Sequence, residues 1–125
     1  GQLVHETPYV NGQQHGIDKS FSEGRLERET PYVYGEEHGI QKSYYKNGKL
    51  SSVQPYNNGK KHGIRKLYWD NGQLMSEWSY QKGKRHGPHK EYYKNGQLRE
   101  ETEYKDDVIN GSVIKYDQDG QISNK

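Results

Sequence analysis

The feature that most constrains the fold is a unit of about 24 residues that recurs five times along the chain. A tyrosine opens each copy, and a glycine followed two positions later by leucine or isoleucine lies near its middle. The tyrosines are Tyr9, Tyr32, Tyr56, Tyr80 and Tyr104, and the glycines are Gly24, Gly48, Gly72, Gly96 and Gly120. A fixed period predicts a repeat architecture in which each unit packs on its neighbours. We expect one domain over residues 1–125, with repeats at approximately 9–31, 32–55, 56–79, 80–103 and 104–125.

Each copy has the pattern of a β-hairpin. In the second copy, residues 40–45 and 49–56 resemble strands, and Asn47-Gly48 between them is a strong hairpin signal. The segment 59–63, with glycine at both ends, predicts a longer polar turn to the next hairpin. No segment has helical periodicity, so the sequence predicts about ten antiparallel strands in a meander and no helix.

The first copy is one residue shorter, and this difference tests the strand register. A three-residue loop with Gly48 in a bulge pairs Tyr44 with Leu50, and a two-residue loop in the first copy pairs Phe21 with Leu26. This predicts one face with an aromatic and aliphatic character, and an opposite face that carries Tyr45, Trp69 and Tyr93 among polar residues. The first face would hold Ile17, Phe21, Leu26, Tyr32, Ile40, Lys42, Tyr44, Leu50, Tyr56, Ile64, Tyr68, Leu74, Trp78 and Tyr80.

The composition limits how the apolar face can be covered. Only 27% of residues are hydrophobic and the mean hydropathy is −1.43, so a large globular core is excluded. Because neither a helix nor a second sheet is available, the sheet must coil on itself. The fold class predicted is all-β: a single-layer, twisted antiparallel meander in the form of an elongated half-pipe. Pairing should loosen at Pro8, Pro31 and Pro55, because proline has no N–H to donate.

Candidate chemistry is sparse. There is no cysteine, and no pattern for a phosphate loop or a nucleophile appears. The recurring histidines are His15, His38, His62 and His86. Equivalent residues in successive hairpins are two strands, about 10 Å, apart, whereas zinc ligands converge within about 2.1 Å of one ion. The His-Gly pairs are therefore better explained as loop-to-strand junctions, and we predict no catalytic residues, no metal and no cofactor: the protein is not an enzyme.

Charge is distributed unevenly along the repeats. Residues 49–96 contain ten Lys and Arg against three Asp and Glu, whereas both flanking segments are net acidic. The change concentrates in one loop, whose central pair is Glu36-Glu37, then Lys60-Lys61, then Lys84-Arg85. These pairs should share one edge of the sheet. They are either a solvated edge that maintains solubility or a contact surface for a mixed or acidic partner.

The aromatic residues of the opposite face are the second candidate contact. Tyr45, Trp69 and Tyr93 are of the types that dominate protein interfaces, although they could instead cover neighbouring Lys and Arg stems. The predicted partner-binding residues are therefore Tyr45, Trp69, Tyr93, Lys60, Lys61, Lys84, Arg85, Glu36 and Glu37.

The pattern Tyr-x-x-Gly-x-x-His-Gly, followed by an aromatic pair and x-Asn-Gly-x-Leu, resembles MORN repeats, and more closely the variant repeats of small bacterial proteins. The resemblance covers Tyr9 to Ile122, with Asp107 and Asn110 replacing the usual Gly and His in the last copy. It implies a binding scaffold, and bacterial members with this pattern are frequently antitoxins or immunity proteins. We therefore expect a cognate protein toxin as the partner, neutralised by occlusion.

Other partners are weaker hypotheses. A membrane-associated scaffold could hold anionic lipid head groups with the central basic patch. Nucleic acid is disfavoured by a pI of 8.6 and by the acidic flanking copies. An uncovered edge strand would allow a second copy to pair. Because no apolar run approaches a membrane span and no signal peptide opens the chain, we expect a cytoplasmic protein.

Overall fold

The computed structural model describes residues 3–123, which form an all-β structure as predicted. None of the described residues belongs to a helix that could span a membrane. The strands are β1 (Leu3–Glu6), β2 (Tyr9–Val10), β3 (Gln13–Gln14), β4 (Gly16–Ser22), β5 (Arg25–Val33), β6 (Glu36–Glu37), β7 (Gly39–Tyr44), β8 (Leu50–Asn57), β9 (Lys60–Lys61), β10 (Gly63–Tyr68), β11 (Leu74–Gln81), β12 (Lys84–Tyr92), β13 (Leu98–Lys105), β14 (Val108–Ile109), β15 (Ile114–Tyr116) and β16 (Ile122–Ser123).

Nearly all strands belong to one antiparallel meander. Its order is β1-β4-β5-β7-β8-β10-β11-β12-β13-β15-β16, with β6, β9 and β14 paired to β5, β8 and β13 at one edge. Strands β2 and β3 form a separate two-stranded sheet. The first and last strands of the order do not pair with each other, so the sheet is open rather than a closed barrel.

The connection between hairpins is tighter than the sequence predicts. Asn58 and Gly59 have φ angles of 50° and 82°, the signature of a two-residue type I′ turn, and Lys60–Lys61 then pairs with Tyr56 and Asn57. The prediction of a longer polar turn over 59–63 is therefore wrong. Extra two-residue strands at these turns raise the number of strands above the ten expected.

The predicted register at the other turns is confirmed. Tyr44 pairs with Leu50 and Phe21 pairs with Leu26. In the second copy the Tyr45 N–H donates to the Lys49 carbonyl at 2.8 Å, and Gly48 has a φ of 87°. This is the three-residue loop with a glycine bulge, whereas the first copy closes with a two-residue turn.

A β-bulge in each hairpin corrects the predicted faces. Tyr44 pairs with Leu50 but Ser43 pairs with Ser52, so Ser51 is an extra residue. Beyond the bulge the alternation of side chains is inverted, and Tyr56 pairs with Gly39. Tyr56 therefore lies opposite Tyr44 rather than beside it. The same correction applies to Tyr32, Trp78 and Tyr80, whose partners are Gly16, Arg65 and Gly63.

Burial distinguishes the two faces of the sheet. We call the face with Gln41, Gln54, Tyr56 and their equivalents the inner face, and the face with Ile40, Lys42 and their equivalents the outer face. Six of the residues that the structure describes are buried, and all six are polar and lie on the inner face: Ser20, Thr30, Gln54, Ser76, His89 and Thr102. Since no second layer covers the sheet, burial on one side means that the sheet curves toward that side.

The isoleucines of the outer face are not buried. Ile17, Ile40 and Ile64 are 48%, 50% and 43% exposed, and among the side chains that the structure describes no apolar one is buried. The expectation that coiling would cover the apolar face is wrong, because the sheet coils around small polar side chains instead. The outer face is left with a row of exposed aliphatic side chains, which is unusual for a monomeric surface when contiguous.

Pairing between hairpins loosens at proline, as predicted. Strand β5 pairs with β7 at Arg28 and Glu29, and the ladder between these two strands ends before Pro31. The His38 N–H donates to the Pro31 carbonyl at 3.1 Å. Gly39 follows with a φ of 113°, and a Cβ there would lie 3.0 Å from Pro31 Cγ. The glycine of the His-Gly pair is thus required by backbone conformation and by close approach to the proline.

Candidate interaction surfaces

The tight turns form a ladder along one edge of the sheet. Each turn donates a backbone N–H to a carbonyl of the preceding turn: Gly35 to Gln14 (2.8 Å), Gly59 to Glu37 (2.8 Å), Gly83 to Lys61 (2.9 Å) and Asp107 to Arg85 (2.9 Å). We call this edge, with the pairs Glu36-Glu37, Lys60-Lys61 and Lys84-Arg85, the turn edge. The ladder fixes the order of charges along it, with an acidic pair followed by two basic pairs. The shared edge is as predicted, while its role in binding stays a prediction.

The two members of each charged pair have different surroundings. Lys61 pairs with Tyr56, so its side chain lies on the inner face, where its Nζ is 5.2 Å from the ring centroid of Tyr80. Arg85 Cζ lies 4.7 Å from the ring centroid of Tyr104. Lys60 is exposed and belongs to the other face. The cations that project freely from the turn edge are therefore the first members of the pairs.

Arg85 is further engaged by the next turn. Its backbone N–H donates to Asp107 Oδ1 at 2.9 Å, and its Nε lies 3.4 Å from the same oxygen. The hydrogen bond from the Arg85 backbone, followed by that from its side chain, lowers the pKa of Asp107. Because Glu36-Glu37 lies on one side and Asp107 on the other, the basic part of the turn edge is short.

The recurring histidines connect successive turns. His15 Nδ1 accepts a hydrogen bond from the Tyr34 N–H at 3.4 Å, and His38 Nδ1 accepts one from the Asn58 N–H at 3.3 Å. Each contact spans one repeat, which supports the structural interpretation of the His-Gly pairs. Within residues 3–123 no group of three or more His, Cys, Asp or Glu side chains is arranged to hold a metal ion.

The predicted aromatic residues lie at the opposite edge, in the Asn-Gly loops. All three are half-buried. The Tyr45 hydroxyl donates to the Tyr68 carbonyl, and the Tyr93 hydroxyl donates to the Tyr116 carbonyl at 2.8 Å. Each hydroxyl therefore ties its own repeat to the next one. The rings are partly exposed, and their part in binding a partner stays a prediction.

Trp69 takes the same position without an equivalent bond. Its Nε1 is buried and has no hydrogen-bond partner within residues 3–123. Lys94 Nζ lies 5.2 Å from the Trp69 ring centroid. This contact agrees with the alternative role of these aromatic rings, which is to cover neighbouring basic side chains. The structure therefore brings Tyr45, Trp69 and Tyr93 into one row, but at the edge opposite to the turn edge.

The outer face carries a feature that the sequence analysis missed. One row of cross-strand neighbours alternates in charge across the sheet, and we call it the charge row. Its members in order are Glu6, Lys19, Glu29, Lys42, Val53, Lys66, Glu77, Lys90 and Glu101. Opposite charges directly across a sheet stabilise it, and in this row Lys90 Nζ lies 4.0 Å from Glu101 Oε2. The signal in the sequence is the spacing of 24 residues between Glu29, Val53, Glu77 and Glu101.

Tyrosine hydroxyls reinforce the charge row. Tyr44 donates to Glu29 Oε1 at 2.7 Å and Tyr92 donates to Glu77 Oε1 at 2.6 Å. The hydrogen bond to Glu29, with burial, raises the pKa of Tyr44 to about 12. Burial, followed by the hydrogen bond to Glu77, raises the pKa of Tyr92. Each bond links a repeat to the one before it.

The inner face has one buried ionisable cluster, in the fourth copy. His89 is 6% exposed and stacks on Trp78 with the ring centroids 3.5 Å apart. Its Nε2 lies 3.6 Å from Glu91 Oε2. Burial lowers the pKa of His89 against the opposing effect of Glu91 and Glu100. Both His89 Nε2 and Glu91 Oε2 are buried and have no hydrogen-bond partner among the described residues.

These observations define a class: an open, single-layer β-repeat protein whose turns and faces are exposed for contact. The sequence model of the MORN repeat variant matches residues 37–58, 61–82 and 85–106, just over half of the chain. The chain belongs to the MORN repeat variant family. No curated protein matches it. MORN repeats generally serve as non-catalytic binding scaffolds, and this is the function class that the family supports.

Proposed function

We propose that this chain is a protein-binding scaffold that neutralises a cognate toxin by docking onto it and covering its active surface. The observation that carries the proposal is the order of charges along the turn edge. Glu36, Lys60 and Lys84 are exposed on successive turns, and backbone hydrogen bonds between the turns fix their spacing. Because the backbone of the turns is already fixed, only the side chains have to be ordered when a partner binds, and a charge pattern of fixed spacing favours fast and selective association.

Occlusion requires contact area and no chemistry. The turn edge would steer a partner of mixed charge, and the rings of Tyr45, Trp69 and Tyr93 at the opposite edge would anchor it. For a toxin with a basic active site, the acidic pair Glu36-Glu37 would occupy the position of an anionic substrate. The proposed site of action is the cytoplasm.

A pull-down from the source organism tests this proposal. The tagged chain is incubated with a nuclease-treated lysate, and bound proteins are identified by mass spectrometry. We expect one stoichiometric protein, encoded beside the gene of this chain, whose toxicity is relieved by it. Recovery of no stoichiometric protein, or of a partner whose activity is unchanged when bound, would contradict the proposal.

Charge reversal at the turn edge then locates the contact. Lys60→Glu with Lys84→Glu should slow association with the captured partner by about tenfold or more at low salt. The comparison is Lys46→Glu with Lys49→Glu, two exposed lysines beside the proposed anchor Tyr45 at the other edge. No slowing with Lys60→Glu and Lys84→Glu would remove the turn edge from the interface, whatever the second double variant does.

Anionic lipid is the second candidate partner, favoured by the exposed Lys60, Lys82 and Lys84 on one edge. The carboxylates of Glu36-Glu37 and Asp107 on either side weaken it, because they would face the same membrane. Vesicles with and without acidic lipid separate the two hypotheses. Salt-sensitive binding that Lys60→Glu with Lys84→Glu abolishes would favour the lipid hypothesis.

A further inference from the structure

The charge row of the outer face is interrupted at one position. Lys19 and Lys90 each lie between two carboxylates in the row. Val53, in contrast, lies between Lys42 and Lys66, and the position takes the place of the glutamate found at Glu29, Glu77 and Glu101. Lys42 and Lys66 each have a carboxylate on one side only, Glu29 and Glu77, and within residues 3–123 neither ammonium group comes within ion-pair distance of it. The centre of the outer face therefore holds two lysines and a valine where the rest of the row alternates.

The hydrogen bonds of the tyrosine hydroxyls are interrupted at the same repeat position, as Tyr68 shows. Its equivalents Tyr44 and Tyr92 donate their hydroxyls to Glu29 and Glu77 of the preceding repeat. In the preceding repeat the position of Glu29 and Glu77 is taken by Val53, which pairs with Lys66 two residues before Tyr68 and cannot accept a hydrogen bond. Within residues 3–123 the Tyr68 hydroxyl has no hydrogen-bond acceptor. The cross-strand neighbours of Val53 are thus two lysines, and the tyrosine that elsewhere binds the carboxylate of this position lies two residues further along one of their strands.

The spacing suits a carboxylate from outside the chain. Neighbouring strands lie about 4.8 Å apart, so a carboxylate above Val53 would be about 5 Å from the strands of both lysines. It would take the place that Glu29 and Glu77 hold in their repeats. Lys42 and Lys66 have Glu29 and Glu77 on their outer sides, and an anion above Val53 would give each lysine a carboxylate on its second side, as Lys19 and Lys90 have.

Aliphatic side chains lie next to this position along the strands. Ile40 pairs with Pro55 on the outer face, and Ile64 follows on the next hairpin. Ile40 and Ile64 are about half-exposed, at 50% and 43%. Residues two apart on a strand lie about 7 Å apart on one face, which is the distance from Val53 to Pro55. A segment with a carboxylate at one residue and an aliphatic side chain two residues away would match both features.

We propose that the outer face around Val53 is a docking site for an extended acidic segment of a partner protein, with a Glu-x-aliphatic pattern. The carboxylate binds Lys42, Lys66 and the Tyr68 hydroxyl, and the aliphatic side chain packs on Ile40 and Ile64. The proposal rests on the proposed function as a protein-binding scaffold. It adds a second surface, distinct from the turn edge, and gives the chemistry of the segment that occupies it.

The first test uses a synthetic probe and does not need the natural partner. A capped pentapeptide with the sequence Thr-Glu-Thr-Ile-Thr, whose only charge is the glutamate, is titrated in the millimolar range, alongside its Gln counterpart, and NMR shifts of the chain are followed. We expect the Glu peptide to shift the resonances of Lys42, Lys66 and Tyr68, and the Gln peptide to bind about tenfold more weakly. Equal shifts with both peptides, shifts confined to the turn edge, or no shifts would overturn the site. Inorganic phosphate acting as strongly as the Glu peptide would overturn the assignment to a protein segment.

Variants at Val53 provide the matched control. Val53→Glu places a carboxylate in the row and should abolish peptide binding while raising the unfolding midpoint. Val53→Gln has the same size without the charge and should keep at least part of the binding. If Val53→Glu does not fold, Lys66→Met keeps most of the stem, removes the charge and should weaken the peptide about tenfold. Binding that survives loss of the Lys66 charge would refute the proposal.

The outcomes separate this site from the proposed function. A captured partner that binds Val53→Glu and wild type equally, with no peptide shifts, removes the outer-face site and leaves the toxin-binding proposal in place. Capture of no partner contradicts the toxin-binding proposal, while the peptide titration still decides the site. A partner lost with Val53→Glu but retained with Val53→Gln would support both.

Discussion

Removing the hydroxyl of Tyr92 should destabilise the fold, whereas the same change at Tyr68 should cost little. Tyr92 donates to Glu77 Oε1 at 2.6 Å. In the repeat before Tyr68 the position of that glutamate is taken by Val53, which cannot accept a hydrogen bond. A hydrogen bond to a charged group contributes roughly 1.5–3 kcal/mol. Because both partners are half-buried and partly solvated, we expect Tyr92→Phe to lower the free energy of unfolding by about 1–2 kcal/mol, at or somewhat below the lower end of that range. Tyr68→Phe should lower it by less than about 0.5 kcal/mol.

The assay is urea unfolding followed by tryptophan fluorescence. Trp69 and Trp78 lie in the third copy and its boundary with the fourth, so they report on the region of both substitutions. The first copy carries Phe21 at this position, which shows that a phenyl ring fits the fold. The midpoints should separate while the slope of the transition stays constant.

Tyr44→Phe serves as a third comparison, because Tyr44 donates to Glu29 at 2.7 Å and should resemble Tyr92. Equal losses for Tyr68→Phe and Tyr92→Phe would show that the hydroxyl–carboxylate bonds contribute nothing beyond the loss of a polar tip. That result would refute the idea that these bonds connect the repeats energetically. It would also show that the missing acceptor of the Tyr68 hydroxyl has no energetic consequence.

Three further predictions concern titration and backbone conformation. The pKa of Tyr44 is raised to about 12, so stability present below pH about 10 should be lost as the pH rises through about 12. Tyr44→Phe should make this loss smaller in alkaline urea titrations, and the part that remains is expected from Tyr92, whose pKa is also raised. The pKa of His89 is lowered by burial, so the unfolded state binds more protons and the unfolding midpoint should fall as the pH drops below about 6.5; His89→Gln should flatten that slope. Gly39→Ala places a side chain at a φ of 113° with its Cβ 3.0 Å from Pro31, and it should lower the free energy of unfolding in urea by about 2–3 kcal/mol. Gly48→Ala also has a positive φ but meets no atom within 4 Å, and it should cost about 1 kcal/mol. Equal costs would show that the contact with proline adds nothing to the strain of the positive φ.

Turn chemistry made the hairpin register predictable. Asn47-Gly48 calls for a positive φ, and the single deletion in the first copy changes the loop from three residues to two. In both copies the aromatic–leucine pair is kept, and the structure has Tyr44 with Leu50 and Phe21 with Leu26. Two different loops that give the same pair leave little freedom for another register.

The faces could not be predicted in the same way, because no residue type marks the bulge. Simple alternation places Leu50, Ser52, Gln54 and Tyr56 on one side. The extra residue at Ser51 moves the last three to the inner face and leaves Leu50 on the outer one. The extra residues of the four hairpins are Glu27, Ser51, Met75 and Arg99, which have no side-chain chemistry in common. Because the sequence does not mark the extra residue of each hairpin, the residues that follow it were assigned to the wrong face of the sheet.

The same offset determined which functional residues could be found from the sequence. Charges on the turn edge are adjacent in the chain and were predicted, but Lys42 and Glu29 become neighbours only when the register between hairpins is known. A single-layer sheet has no core, so its stability depends on such ladders of side chains across the strands. Where one position of such a ladder lacks its charged side chain, a side chain from another protein can supply the missing interaction without displacing one that the chain already makes. Val53 is that position in the charge row, which is why a surface that the sequence predicted to be core is the one proposed here to bind.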